Sequence, residues 1–351
     1  MAIVRIDAGH TDGDGAPQPG GVDHEVKGGL ARDAGAPLTA MCETTPVPVT
    51  APEVHRAAMP IPGGHMRVLV SGATGTTGFH VVRLLHEMGI PVRAMTRSSE
   101  SAARLRAEGL EAVVADLKDP ASLPDALEDI SSVYVASPAS PHLAEHEANL
   151  VRAAAQAGIA HVVKLSVIGV ARDTPIAFGR LHFEAEQAIV ASGVRWTMIR
   201  PNGFMQNTLG WARMLADGTV YGPAMEARWS VVDARDIAAV AVAVLQEPDG
   251  HAGETYTVTG PEACSRREQV AVLGEVLGRD ISVREVSIAQ AQQSMRSAGW
   301  PEWNVQGMTE MLELSSDELA QAVSPVVPGI TGRAARTFRE FARDHLEAFR
   351  R

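Results

Sequence analysis

From Met66 onward, strand-length apolar runs alternate with segments of helical spacing. The runs are RVLVS at 67–71, PVRAMT at 91–96, EAVVA at 111–115, SVYVA at 132–136, HVVKLS at 161–166 and VRWTMIR at 194–200. Each is short, rich in branched apolar residues and bounded by turn-formers, which predicts strands. Between them, 77–88 places Phe79, Val82, Leu85 and Met88 on one helical face and stops at Gly89. Helices are likewise predicted over 102–108, 121–128, 143–157 (stopping at Gly158) and 176–192 (stopping at Gly193). Strands separated by helices of this length need crossover connections, and so pair in parallel. The fold class predicted is α/β: a doubly wound parallel-sheet Rossmann domain with a smaller, mostly helical C-terminal substrate lobe.

Beyond residue 203 the pattern is less regular. Residues 204–231 read as loop plus a short helix. Asp236 reads as the N-cap of a helix over 237–245, and 255–259 reads as a further strand. The organisation expected is a disordered leader over 1–64, a nucleotide-binding domain over 65–264 with substrate-side loops at 204–230, and a lobe over 265–351 above the C-terminal edge of the sheet. The leader is rich in Gly, Pro, Asp and Thr, as in TDGDGAPQPGG, and lacks both periodicities. It has no basic stretch followed by an apolar core, so it is no secretory signal. Because MRVLVSGATG would open a complete protein naturally, the native start is expected at Met66 or Met59.

Composition narrows the function classes. The 351 residues are 45% hydrophobic and 21% charged, with a net charge of −11. No long Lys/Arg run is present, which argues against nucleic acid as a partner. No apolar run is long enough to span a bilayer, so no membrane partner is expected. Cys42 and Cys264 are far apart and lack metal-site spacing. A reducing, cytoplasmic setting fits. His142 and His146 lie four apart beside Glu145 and Glu147, without the HExxH order, and read as a solvated helix face rather than a metal site.

The strongest chemical signal is Gly72-Ala73-Thr74-Gly75-Thr76-Thr77-Gly78, between the first strand and the first helix. Glycines there permit a tight turn and a close approach to a pyrophosphate, and the helix N-terminus supplies free N–H groups and a favourable dipole. The second strand ends in Met95-Thr96-Arg97-Ser98-Ser99, with no acid to take the ribose hydroxyl of NAD before Glu100. Arg97 suits a 2′-phosphate through paired hydrogen bonds, so the cofactor expected is NADP(H). Asp116 and Leu117 follow the third strand, where an adenine would lie. Ala136, Ser137 and Pro138 follow the fourth at the same edge.

With ADL at 115–117, HVVKLSVIG at 161–169, FGRLHFEAEQAIVASGVRWTMIRPNGFMQN at 178–207 and VVDARDIAAVA at 231–241, the chain resembles the NmrA-like branch of the atypical short-chain dehydrogenase/reductase superfamily. The resemblance covers about residues 66–345. It implies an NADP(H)-binding Rossmann domain and a substrate lobe. It also implies one of two activities: reduction of quinones, enones or imines, or redox sensing without turnover.

The superfamily's usual catalytic set is a Ser after the fifth strand and Tyr-x-x-x-Lys on the next helix. Here the positions are Ser166, Phe178 and His182. Phenylalanine cannot move a proton. His182, with an ordinary pKa of about 6.5, suits acid–base work in the lysine's place. Glu186, one turn further along the same helix face, is placed to orient its ring. Ser166 and His182 are therefore the candidate catalytic residues.

Pro201, in the RPNG turn after the sixth strand, is expected at the nicotinamide, with Phe204, Met205 and Asn207 facing substrate and Tyr221 as a candidate proton donor. Trp211, Met214, Trp229, Trp300, Trp303 and Met308 give the later chain a soft aromatic character suited to a planar ligand. The leading function is an NADPH-dependent reductase of a small, apolar, conjugated molecule in secondary metabolism or detoxification. The alternatives are a redox sensor read by a protein partner, and a non-redox isomerase or cyclase using His182.

Overall fold

The computed structural model describes residues 66–313 and 318–350. The expected leader, Cys42 and Met59 lie outside them. In chain order the first half runs β1 (Val68–Val70), α1 (Gly78–Glu87), β2 (Val92–Thr96), α2 (Ser99–Ala107), β3 (Glu111–Val114), α3 (Leu123–Leu127), β4 (Ser132–Val135), α4 (Leu143–Gln156), β5 (His161–Leu165), α5 (Ala177–Ala191) and β6 (Arg195–Pro201). Then come a 3-10 segment (Met205–Trp211), α6 (Ala212–Ala216), β7 (Thr219–Gly222), β8 (Arg228–Trp229), α7 (Ala234–Gln246), α8 (Pro248–His251), β9 (Thr255–Val258) and β10 (Cys264–Ser265). The chain closes with α9 (Arg266–Leu277), β11 (Ser282–Glu285), α10 (Ile288–Ser297), α11 (Glu302–Glu313), α12 (Glu318–Gln321), α13 (Val326–Thr331), α14 (Phe338–Asp344) and α15 (Leu346–Phe349).

Seven strands form one sheet in the order β3-β2-β1-β4-β5-β6-β9, and every neighbouring pair is parallel. Both faces are buried, which is why the strands read as continuous apolar runs. In β1, Val68 and Val70 point into a cluster with Val81, Leu85, Ile237 and Val240, while Leu69 joins Val133, Leu150 and Ile189 on the opposite face. Strand geometry requires this alternation. The strand order reverses between β1 and β4. The crevice outside their C-terminal ends is therefore where a ligand binds in such sheets.

The lobe has its own core: Leu215, Val220, Met225, Val270, Leu273, Phe338, Phe341 and Phe349. It therefore draws on residues expected to be substrate-side loops as well as on the C-terminal region. Two small pairings in it escaped the sequence. β7 runs parallel to β11 and β8 antiparallel to β10; strands of two to four residues leave too short an alternation to recognise. One cap also differs. The N-cap of α7 is Asp233, whose side chain accepts from the Arg235 N–H. Asp236 instead lies buried in the first turn, where it accepts from the Arg336 N–H at 2.7 Å. Burial pushes the Asp236 carboxyl upward, only partly opposed by Arg336. Among the described residues no helix is long and apolar enough to cross a membrane. Cys264 is a buried free thiol.

Candidate active site

The turn after β1 is shaped by glycines. Gly72 has φ +60°, and a Cβ there would lie 2.7 Å from the Ala136 carbonyl oxygen. A Cβ on Gly78 would lie 2.3 Å from the Gly72 oxygen. The first glycine thus lets the loop pass under the end of β4, and the third lets α1 start against the loop. Ser71 fixes the same junction: its hydroxyl donates to the Ala136 carbonyl and accepts from the Ala136 N–H, both at 2.9 Å. Tyr134 of β4 donates to the buried Thr77 hydroxyl at 3.1 Å. Ala73 is buried beneath the turn, whereas Thr74, Gly75 and Thr76 are exposed. No side chain caps α1, and its first turn holds no acid. The Phe79 N–H donates to the Gly75 carbonyl at 3.0 Å, which leaves the Gly78 and His80 N–H groups and the helix dipole for an anion. A cavity of about 400 Å³ lies over this loop, lined by Thr74, Gly75, Thr76, Gln206 and Asn207 among others. The residues present fit a dinucleotide's pyrophosphate.

The other cofactor candidates lie along the same edge. Arg97 is exposed after β2 and makes no hydrogen bond to any described residue. Ser98 caps α2 by accepting from the Ser101 N–H. The Asp116 carboxylate accepts from the Lys118 N–H at 3.0 Å, a local turn, and the Leu117 carbonyl accepts from Asn149 at 2.9 Å. Ser137, next to Pro138, donates to Glu147 at 2.7 Å. The Pro201 carbonyl accepts from the Ile168 N–H at 2.9 Å.

Beneath the ends of β4, β5 and α5 runs a buried polar network. Lys164 and Glu147 are fully buried and pair at 2.7 Å. The Lys164 ammonium also donates to the Leu165 carbonyl at 2.7 Å and faces Nδ1 of His182 at 3.1 Å. The ammonium is thus held by two hydrogen bonds, to Leu165 and His182, and by charge pairing with Glu147. Burial first, and the Lys164 charge second, hold His182 well below its ordinary pKa. Glu147, expected on a solvated face, is therefore the counter-ion of a core lysine. The signal was present in HVVKLS, where a lysine interrupts an apolar strand. His142 and His146 do sit on the outer part of α4, with His142 3.4 Å from Glu145.

Two expected roles change. Glu186 does not orient His182: it takes Arg200 through two hydrogen bonds, at 3.0 and 2.5 Å. Ser166, 2% exposed, donates its proton to Glu186 at 2.6 Å, so its hydroxyl is committed and can only accept from a ligand. The residue at the usual tyrosine position also has another task. Phe178 packs edge-on to Trp303 with ring centroids 6.0 Å apart, and a Cβ on Gly307 would touch its ring at 2.8 Å. It thereby seats α11 on α5.

A second cavity, of about 220 Å³, lies in the lobe. Phe204, Asn207, Trp211, Met214, Tyr221, Trp229, Trp300 and Met308 line it. Met205, expected there, is buried in the lobe core instead, and Trp303 is held by Phe178. The Tyr221 hydroxyl and the Asn207 amide make no hydrogen bond to described residues. Asn207 lines both cavities, so the glycine-loop site and the aromatic site meet at one side chain. Arg266 also lines the second cavity, and nothing in its local sequence marks it for that place.

A family described as NAD(P)H-binding matches residues 72–248. The chain is 41% identical over 283 residues to the NAD(P)H azoreductase of Xenophilus azovorans, covering 80% of this chain and 99% of that one. It is 38% identical over 286 residues to the (4-alkanoyl-5-oxo-2,5-dihydrofuran-3-yl)methyl phosphate reductase of Streptomyces griseus, again over 80% and 99%. The crystal structure of the NADPH-dependent quinone oxidoreductase of Escherichia coli complexed with NADPH superimposes with a TM-score of 0.71 at 25% identity, covering 80% of this chain and 99% of that one.

Proposed function

The chain belongs to the NAD(P)H-binding, NmrA-like branch of the atypical short-chain dehydrogenase/reductases, and we propose that within it this oxidoreductase uses NADPH to reduce a small, apolar, conjugated acceptor. Quinones, enones, imines and azo arenes are the acceptor classes, the last brought in by the azoreductase relative. The observation that carries the reading is Asn207, the side chain shared by the phosphate-binding cavity and the aromatic cavity. A dinucleotide anchored at the glycine loop and a flat ligand held among Trp211, Trp229 and Trp300 would meet there.

Bound NADPH supplies the hydride. The chain's own residues position and polarise. The glycine loop and the uncapped α1 take the pyrophosphate, and Arg97 takes the 2′-phosphate. His182, neutral and accepting at Nδ1, presents an N–H donor at Nε2. With Phe178 committed to packing and the Ser166 proton committed to Glu186, neither supplies the strong acid of the wider superfamily. That favours acceptors which take hydride readily over simple ketones. Thr208 and Tyr221 both bring hydroxyls to the aromatic cavity; Thr208 donates its proton to the Met205 carbonyl at 2.8 Å, so Tyr221 would deliver a proton to the reduced product.

The test is steady-state NADPH consumption with a panel of quinones, enones, imines and azo arenes. Acceptor-dependent oxidation, weaker in Tyr221→Phe, is expected. Cofactor binding without any acceptor-dependent oxidation would favour the sensor, and product formed without cofactor consumption would favour the isomerase.

A further inference from the structure

Arg266 is the first residue of α9, and no other lining residue of the aromatic cavity carries a full charge. Its Nη1 donates to the Pro223 carbonyl at 2.6 Å. Guanidinium has five N–H donors, and this one bond is all that its side chain makes to described residues. The nearby acids are engaged elsewhere. Glu268 takes Arg228 at 2.6 Å and closes the α9 capping box with Ser265, while Glu226 pairs with Arg267. Each neighbouring arginine thus has a carboxylate, and Arg266 has none among the described residues. Burial, the one influence acting on its guanidinium, pushes it below the ordinary arginine value. Arginine nonetheless remains charged at any physiological pH.

A guanidinium facing a cavity of Trp and Met side chains, with no counter-ion among the described residues, is costly in the free protein. A neutral ligand would worsen that by removing solvent from the charge. A ligand bearing an oxyanion would relieve it with a charge-assisted, two-pronged hydrogen bond. We propose that the cavity recognises an aromatic or conjugated body carrying a carboxylate, sulfonate or phosphate, with Arg266 holding the anion and the tryptophans holding the flat part. The proposal rests on the reductase reading only in taking this cavity as the substrate site. It adds a charge requirement that the glycine loop and His182 do not imply.

The test titrates the full chain, loaded with NADPH, with anilinonaphthalene sulfonate and with phenylnaphthylamine, its parent without the sulfonate. Dye fluorescence is followed for wild type, Arg266→Met and Arg266→Lys. Wild type is expected to bind the sulfonate dye about tenfold more tightly than the parent, Arg266→Met to lose that preference, and Arg266→Lys to keep part of it. Unchanged NADPH affinity reports that the variants fold. Equal binding of the two dyes by wild type, or a preference that survives in Arg266→Met, overturns the proposal. The second result would mean that the sulfonate binds elsewhere.

Turnover of an arylazonaphthol with and without a sulfonate then separates the two readings. Dye discrimination through Arg266 without turnover of either substrate leaves the anion site standing and removes the reductase. Turnover of both substrates, with an equal effect of Arg266→Met on each KM, removes the anion site and leaves the reductase.

Discussion

The Lys164 ammonium lies 3.1 Å from Nδ1 of His182, at the end of a buried row that begins at Ser137 and passes through Glu147. An ammonium only donates, so Nδ1 accepts and the ring carries its proton at Nε2. With its pKa depressed by burial and by Lys164, His182 stays neutral near physiological pH. It is therefore a fixed hydrogen-bond donor rather than a titrating acid. The pH profile of kcat should show no ionisation near 6.5, and His182→Ala should cost about tenfold in kcat/KM, the value of one good hydrogen bond. His182→Gln, which keeps an N–H donor, should retain more. A wild-type inflection near 6.5 that vanishes in His182→Gln would show that the ring titrates during turnover.

The Lys164–Glu147 pair has both side chains fully buried. Removing one partner strands a charge in the core, so Lys164→Met should destabilise the fold by about 3–5 kcal/mol. Replacing both, as in Glu147→Leu with Lys164→Met, should return much of that stability while leaving His182 without its partner. Thermal and denaturant unfolding of the three proteins checks the first statement, and the NADPH assay the second. A double variant as unstable as the single one would mean that Ser137 and Leu165 depend on the pair more than the two charges depend on each other.

Arg97 has no protein partner among the described residues and stands where the second strand ends. Arg97→Ala should weaken NADPH about tenfold or more and leave NADH nearly unchanged, because one arginine–phosphate pair is lost and nothing else. Competitive titration with both reduced cofactors reads the ratio. An equal loss for both would move the role of Arg97 from the 2′-phosphate to general folding.

Much of the nucleotide-binding half was legible because its signals are local. β1, β2, β3, β4, β5 and β6 each match a short apolar run, and the Gly72–Gly78 turn shows its purpose in its spacing. What the sequence hid are relationships made by folding. The pairing of Glu186 with Arg200 spans a helix and a strand, so helical spacing pointed Glu186 toward His182 instead. Met205 and Trp303 look like pocket residues by type, yet one fills the lobe core and the other seats Phe178. Side-chain chemistry predicts what a residue can do. Only the packing decides which neighbour it does it with.

Gly78 tests how closely the loop is fitted. A methyl there would sit 2.3 Å from the Gly72 oxygen, a backbone atom with nowhere to yield. Gly78→Ala should cost about 1–3 kcal/mol through overpacking and displace the N–H groups that hold phosphate. Loss of NADPH binding in a protein that still unfolds cooperatively is the expected result. Normal affinity would mean that α1 can shift without disturbing the site.

Acid stability follows from two buried histidines. His161 is pushed down to about 4 by burial, then by Arg195 and His251, with Asp249 opposing. Its Nε2 lies 2.9 Å from the Thr197 hydroxyl, whose own proton goes to the His251 carbonyl. Nε2 therefore donates, and Nδ1 is buried with no partner among the described residues. Protonation would create a buried N–H with no acceptor. Both His161 and His182 have folded pKa values below the unfolded value of about 6.5, so between those values the unfolded chain binds more protons. Each contribution is fully present above about pH 6.5 and declines as pH falls below it, for His161 down to about 4. For His161 the difference is worth roughly 3 kcal/mol. The lowered Asp233 and Glu111 add losses only at lower pH, through the carboxylate range. Urea unfolding at a series of pH values should therefore show stability declining already between about 6.5 and 4. His161→Gln, which keeps a donor to Thr197 but cannot titrate, should flatten that limb. A limb of the same slope in His161→Gln would assign the acid sensitivity to His182 and the carboxylates instead.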